Sequence, residues 1–250
     1  MTALPQAPGW YGKLPSLGDF ASRRLPPEFI EPWDLWLSER IAALRVALGA
    51  GWLDAYLSSP TWRFVLMPGA MPGALPGLPI GQAWAGVLMP SVDRVGRYFP
   101  LTLATPVALW PGPASALEPL LAWLQQLEDL ALAALQDDWR IDQIEQALQQ
   151  LPAPPQRATV LPAEQALAQA LQQPSGFVAI DGRADPAGLA ALWAQVLGDV
   201  APGWRQALAG RSCWMADGPA KPRLLVSLGL PDSAAFVRMF GANGAAPDDA

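Results

Sequence analysis

Ionisable side chains that could do chemistry are concentrated in two short segments of this 250-residue sequence, although only 15% of its residues are charged. The first segment, GWYGKLPSLGDFASRRLP at 9–26, contributes Lys13, Asp19, Arg23 and Arg24. The second, MPSVDRVGRYFPL at 89–101, contributes Ser91, Asp93, Arg94 and Arg97. Such groups must pair with one another if they are buried, or face solvent and a binding partner if they are not.

Several kinds of chemistry are consistent with these segments. As turn caps and ion pairs, the charged groups would hold two loops together. As exposed charges, they would form a surface that binds another protein. As oxygen ligands, Asp19, Asp34 and Asp93 would hold a divalent cation while Arg94 or Arg97 holds an oxyanion, which gives a metal-assisted phosphoryl or ester hydrolase. A small-molecule sensor is a further hypothesis.

The composition excludes several common enzyme classes. The sequence has no histidine, which removes Ser-His and Cys-His nucleophile pairs, HExxH zinc sites and imidazole proton relays. Its one cysteine, Cys213, allows no intramolecular disulfide and no CxxC site, and its apolar surroundings predict a small core residue. No catalytic residue, metal ligand or cofactor is assigned. The net charge of −6 disfavours nucleic acid as a partner.

No segment of the sequence is predicted to enter a membrane. Uncharged runs at 64–92 and 98–117 exceed the roughly 20 residues of a spanning helix, but several prolines interrupt each one. An interior proline costs a helix about 3 kcal/mol, so neither run is expected to form such a helix. The opening MTALPQAPGW lacks a basic region followed by an apolar stretch, so we expect no secretory signal. A cytoplasmic protein is the expectation.

The first polar segment is predicted to lie between a strand and a long helix. The strand is expected at 10–14, and the helix begins near Pro26 and Pro27, which suit its first turn. The apolar stripe of this helix repeats every three to four residues, at Phe29, Trp33, Leu37, Ile41, Leu44 and Leu48. A further helical turn is predicted at 52–57.

The second polar segment is predicted to lie in a β-meander. Aromatic and β-branched runs predict strands at 61–67, 82–89 and 97–105, with the last two joined as an antiparallel hairpin through 91–96. The uncharged PGAMPGALPGLPIG at 68–81 is predicted to be an exposed loop of successive turns, since its glycines disfavour a continuous polyproline helix.

The second half of the chain adds helices and strands to this meander. Helices are predicted at 117–127, 141–151, 163–172, 186–197 and 233–240, and strands at 176–180, 212–216 and 223–228. Glu145 is expected on the solvent side of its helix.

Together these elements indicate an α/β (α+β) fold, a layered α/β/α sandwich with a mixed, largely antiparallel sheet. We expect a single domain at 7–240, with a motif-rich part at 7–110 and a second part at 113–240, followed by a flexible tail at 241–250.

Several stretches of the sequence resemble the TagF (also ImpM) accessory proteins of bacterial type VI secretion. They are the first polar segment, WDLWL at 33–37, SPTWRF at 59–64 and WAGVLMPSVDRVGRYFPL at 84–101. Downstream, SCWM near 212 and LLVSLGLP near 224 are similar to the weaker C-terminal portion of the same family.

This resemblance implies a longin- or profilin-like α/β fold and a cytoplasmic accessory factor without enzymatic activity. In some systems such a factor is a post-translational repressor of the secretion apparatus that associates with a forkhead-associated-domain protein. No cofactor and no catalytic residue come with the resemblance. The motif positions that it carries over, as a partner-binding or fold-maintaining polar cluster, are Lys13, Asp19, Arg23, Arg24, Asp34, Ser91, Asp93, Arg94 and Arg97.

Overall fold

A computed structural model describes residues 7–71, 83–107, 114–155, 177–181, 209–217 and 222–241. The strands in these ranges are β1 (Gly9–Gly12), β2 (Ala21–Arg23), β3 (Trp62–Leu66), β4 (Ala83–Met89), β5 (Leu101–Val107), β6 (Phe177–Asp181), β7 (Arg211–Asp217) and β8 (Pro222–Leu228). The helices are α1 (Pro27–Leu48), α2 (Trp52–Leu57), α3 (Ala114–Gln136), α4 (Ile141–Gln150) and α5 (Ser233–Phe240). A 3-10 turn at Gly49–Gly51 joins α1 to α2.

The described strands form one sheet in the order β2-β1-β5-β4-β3-β7-β8-β6, and each neighbouring pair is antiparallel. The predicted meander is confirmed as β3, β4 and β5. Its hairpin connection is longer than predicted, because β5 begins at Leu101 and not at Arg97. Strands from the second half of the chain continue the same sheet beyond β3, which places β1 and the β4–β5 hairpin next to each other at the other end.

Each face of the sheet is covered by helices, as the alternation of side chains along a strand requires. On β3, Phe64 and Leu66 belong to a core shared with α1, α2 and α5, whereas Val65 belongs to a core shared with α3 and α4. The structure is therefore a layered α/β/α domain, and the predicted fold class is confirmed.

Helix α1 follows the predicted pattern closely. Pro27 occupies its first turn, and the buried residues are Phe29, Trp33, Trp36, Leu37, Ile41 and Leu44. Its two buried indoles have hydrogen-bond acceptors, with Trp33 Nε1 donating to Thr102 Oγ1 at 2.8 Å and Trp36 Nε1 donating to the Pro231 carbonyl at 2.7 Å. These bonds satisfy groups that would otherwise be costly to bury, and they fix α1 on the sheet.

Most other predicted elements that fall in the described ranges are confirmed, including α2, α3, α4, β6, β7, β8 and α5. The three-residue edge strand β2 has no counterpart among the predictions, because it is too short to show a periodic pattern. The predicted helices at 163–172 and 186–197, most of the loop at 68–81 and nearly all of the tail lie outside the described residues. Within the described part of the chain, the helices are too short or too polar to cross a bilayer.

Candidate functional site

The two polar segments lie side by side at one end of the sheet. We call residues 13–20 the opening turn and residues 90–100 the hairpin tip. Antiparallel pairing of β1 with β5 brings them together, and the Leu17 carbonyl accepts a hydrogen bond from the Arg94 amide at 2.8 Å. Gly12 permits this approach, since its φ is +137° and a Cβ atom there would lie 2.2 Å from the Pro100 carbonyl oxygen.

A buried ion pair lies at the centre of the site. Lys13 Nζ is 2.6 Å from Asp93 Oδ2, and the two side chains are 3% and 0% exposed. The same carboxylate accepts Arg97 Nε at 2.7 Å, the Val95 amide at 3.0 Å and the Arg97 amide at 2.9 Å. Burial alone would raise the pKa of Asp93, but these bonds to the charged form outweigh it and hold that pKa well below its ordinary range.

Ser91 and Tyr56 complete the buried part of the site. Ser91 Oγ donates to the Lys13 carbonyl at 2.7 Å, and the Ser91 amide donates to Tyr56 Oη at 2.9 Å. Tyr56, on α2, donates in turn to the Ser91 carbonyl at 3.1 Å, and burial raises its pKa. These hydrogen bonds connect the opening turn, the hairpin tip and α2, and each of the polar groups involved has its partner within the chain.

The exposed face above this network consists of five side chains, which we call the tip surface: Asp19, Phe20, Arg94, Val95 and Arg97. Arg97 joins the two levels, because its guanidinium contacts Asp93 and the Gly18 carbonyl and lies 3.9 Å from Asp19 Oδ1. Lys13 Nζ lies 4.2 Å from the ring centroid of Phe20, so the aromatic ring contacts the cation of the buried Lys13–Asp93 pair.

The other predicted site residues have separate partners. Tyr11 Oη, whose pKa is raised by burial and by the neighbouring carboxylate, donates to Asp34 on α1. Arg24 donates to Glu145 on α4 and, at 2.9 Å, to the Pro8 carbonyl. Arg23 is exposed on β2. Six of the nine predicted residues are therefore in one cluster, Asp34 is beside it, and Arg23 and Arg24 are not part of it.

The predicted position of Glu145 on the solvent side of α4 is wrong. Its carboxylate accepts hydrogen bonds from Arg24 and from Trp10 Nε1, the latter at 2.7 Å. Partial burial works to raise the pKa of Glu145, but the two hydrogen bonds outweigh it and lower that pKa. The helical period places this carboxylate away from the stripe of Ile141 and Leu148, but Arg24, the residue directly after β2, has a φ of +61° and its side chain reaches Glu145.

A second buried ion pair, between Arg63 and Glu128, was not anticipated from the sequence. Arg63 is the second residue of β3, and its guanidinium contacts Glu128 on α3 and Asp217 at the end of β7. Burial raises the pKa of Glu128, and the arginine opposes this effect. The available signal was a charged residue inside the otherwise apolar run TWRFVLM, which has to be paired if it is buried.

The three carboxylates proposed to hold a divalent cation, Asp19, Asp34 and Asp93, each have partners within the chain. Asp93 is occupied by its four donors, Asp34 is bonded to Tyr11, and the described residues contain no group of three or more potential metal-binding side chains. The three carboxylates therefore do not form a shared set of ligands for a divalent cation. Cys213 is fully buried as predicted, and burial raises the pKa of its thiol to about 12.

Comparisons with known proteins identify the family of this chain. The fold and the site define a class of protein. Its members are α/β/α domains with an antiparallel sheet, in which the opening turn and the hairpin tip share a buried polar cluster. The family model described as the TagF N-terminal domain, type VI secretion system-associated, matches residues 9–151, which include both polar segments. The chain belongs to this family and is associated with type VI secretion.

A solved structure extends the similarity over nearly the whole chain. The crystal structure of PA0076 from Pseudomonas aeruginosa PAO1 has 38% sequence identity and a TM-score of 0.64, and the match covers 96% of this chain and 97% of that one. No curated protein matches the sequence.

Proposed function

We propose that this protein is a non-enzymatic accessory and regulatory protein of type VI secretion that acts by binding a protein partner. The observation that carries the proposal is the division of the candidate site into two levels. Its buried charges are satisfied by one another, whereas Phe20, Arg94 and Val95 are presented to solvent above them. A site built in this way is suited to contact with another protein and not to turnover of a substrate.

The protonation states support binding over catalysis. A general base works best with a pKa near the operating pH, but the pKa of Asp93 is held far below that range. A serine nucleophile needs a base to take its proton, but Ser91 Oγ is buried and donates to the Lys13 carbonyl. The Lys13 ammonium is likewise engaged, in its buried ion pair with Asp93.

The finer proposal concerns the partner and the place of action. The family resemblance supports a cytoplasmic, post-translational repressor of the secretion apparatus that binds a forkhead-associated-domain protein. Membership of the type VI secretion-associated family is the ground for this choice.

Two measurements test the proposed function. The purified chain should bind the purified forkhead-associated-domain protein of the same secretion system in isothermal titration calorimetry. Excess protein in the producing bacterium should lower the amount of secreted effector without lowering its synthesis. Absence of binding would contradict the choice of partner. Turnover of a phosphoester by the purified chain, abolished by Asp93→Asn, would replace the proposal with the metal-assisted hydrolase.

A further inference from the structure

The tip surface combines exposed apolar side chains with charges in an arrangement typical of a small docking site. Phe20 is 44% exposed and Val95 is 63% exposed, and they belong to adjacent loops. Exposed apolar side chains on two adjacent loops lose contact with water when a partner covers them, which favours binding at this position.

The charged groups around these side chains are biased toward the positive sign. Of the exposed groups, Arg94 and Arg97 are cationic and Asp19 is anionic, which gives a net charge of +1, while Lys13 and Asp93 cancel beneath them. This contrasts with a net charge of −6 for the whole chain. Arg94 itself is exposed at the hairpin tip.

The tip surface is held in place from below. Asp93 Oδ1 accepts the Val95 and Arg97 amides, which fixes the backbone of the hairpin tip. The Phe20 ring packs against Phe99 with centroids 4.8 Å apart and stacks on Tyr11 at 5.8 Å. A surface ordered before binding loses little conformational entropy on association, which favours affinity.

We propose that the tip surface docks an acidic segment of a partner protein, with an apolar side chain of that segment on Phe20 and Val95 and its carboxylates at Arg94 and Arg97. This inference rests on the proposed function and specifies where and by what chemistry the partner is held. Charge complementarity selects the occupant. Asp19, which lies beside Arg97, and the negative charge of the chain as a whole disfavour a phosphate backbone or an anionic lipid surface, whereas single carboxylates can still meet the exposed arginines.

The test uses the full chain, the forkhead-associated-domain protein as the probe, and matched substitutions. Arg94→Glu and Val95→Asp alter the tip surface. Arg238→Glu, at an exposed position on α5, makes the same charge change, and Val46→Asp, at a position 87% exposed on α1, makes the same apolar-to-acid change. We expect each tip variant to bind about tenfold more weakly and each control to bind within about twofold of wild type, at unchanged melting temperature.

Salt dependence tests the chemistry of the occupant. Binding of the wild-type chain should weaken as salt is raised, and Arg94→Glu should make that dependence shallower, because a cation that meets carboxylates is removed. Val95→Asp adds one negative charge to the same surface, so it should also make the salt dependence shallower, but by less than Arg94→Glu, which changes the charge by two units.

The outcomes separate this inference from the proposed function. If wild type binds and the tip variants bind equally well, the inference is overturned while the proposed function stands. If wild type does not bind the probe at all, both fail. Binding of wild type to phosphatidylserine vesicles that Arg94→Glu abolishes, with probe binding intact, would assign the surface to a membrane and also overturn the inference.

Discussion

The Lys13–Asp93 pair and the Arg63–Glu128 pair both lie inside the protein, yet the pKa of the carboxyl group is lowered in one and raised in the other. Burial works in the same direction in both places. The difference is in the neighbouring groups. Asp93 accepts four donors, whereas the hydrogen bond described for Glu128 comes from Arg63, and the charges of Asp217 and Asp129 also raise the pKa of Glu128. A buried carboxylate therefore keeps a low pKa when its oxygens accept several hydrogen bonds, and one cationic partner alone is not enough.

The two pairs also serve different parts of the molecule. The Arg63–Glu128 pair connects β3 to α3 and, through Asp217, to the end of β7, so it holds separate layers together. The Lys13–Asp93 pair connects neighbouring loops and continues to solvent through Arg97. We therefore expect the first pair to determine stability and the second to determine the shape of the tip surface.

The largest effect on stability is expected for Arg63→Met. It removes the cation beside a buried carboxylate that has one described donor, and removal of one partner of a buried pair costs about 3 to 5 kcal/mol in the free energy of unfolding. Urea unfolding measures this loss. The double variant Arg63→Met/Glu128→Leu should recover most of it, because no buried charge is then left alone. A double variant as unstable as the single one would show that the pair acts by some other means.

A smaller loss is expected for Lys13→Met. Asp93 would keep its bonds from Arg97 Nε and from two backbone amides, so its charge stays compensated after the lysine is removed. Unfolding in urea should show a smaller change than for Arg63→Met, and hydrogen exchange should be faster at the Val95 and Arg97 amides. A loss greater than that of Arg63→Met would contradict the role assigned to hydrogen-bond saturation.

The two carboxyl groups should give opposite pH dependences of stability. The pKa of Asp93 is lower in the folded state, so its contribution is present above the ordinary value of 3.8 and is lost as the pH falls toward the folded pKa. The destabilisation caused by Asp93→Asn should therefore be greatest near neutral pH and shrink below 3.8.

For Glu128 the sign is reversed. Its folded pKa is raised, so its contribution is fully present below the ordinary value of 4.5 and is lost as the pH rises through the folded pKa. Stability of Glu128→Gln relative to wild type should accordingly improve as the pH rises. Urea titrations from about pH 3 to about pH 7 test both variants, and parallel pH profiles would contradict the comparison.

The smallest effect on stability is expected for Arg94→Glu and Val95→Asp. Both side chains are exposed on the hairpin tip and lie above the buried network, so each variant should stay within about 0.5 kcal/mol of wild type in the free energy of unfolding. Thermal and urea unfolding check this expectation. A larger loss would mean that the tip surface contributes to the stability of the fold, and weaker binding by these variants could then result from partial unfolding.

Much of the fold could be predicted from local pattern, but the partners of buried charges could not. The stripe from Phe29 to Leu44 predicted α1, and the apolar runs predicted β3 and β4, because burial of one face imposes a period on the sequence. The two polar segments could be associated because they are conspicuous in a chain with few charges.

What the pattern did not reveal were contacts between distant positions. Arg63 meets Glu128 and Asp217 across 65 and 154 residues, and Arg24 meets Glu145 across 121. Helical periodicity places Glu145 off the apolar stripe but carries no information about an arginine that arrives from another element. Such partners depend on the packing of the layers, which a single sequence does not encode in its local spacing.

The central claim is that a self-paired polar network supports an exposed face that binds the partner. Hydrogen–deuterium exchange of the full chain, alone and saturated with the forkhead-associated-domain protein, tests it most directly. Slower exchange at 18–20 and 94–97 in the complex is the predicted result. Slower exchange confined to α3 and α4, with both tip segments unchanged, would contradict the account.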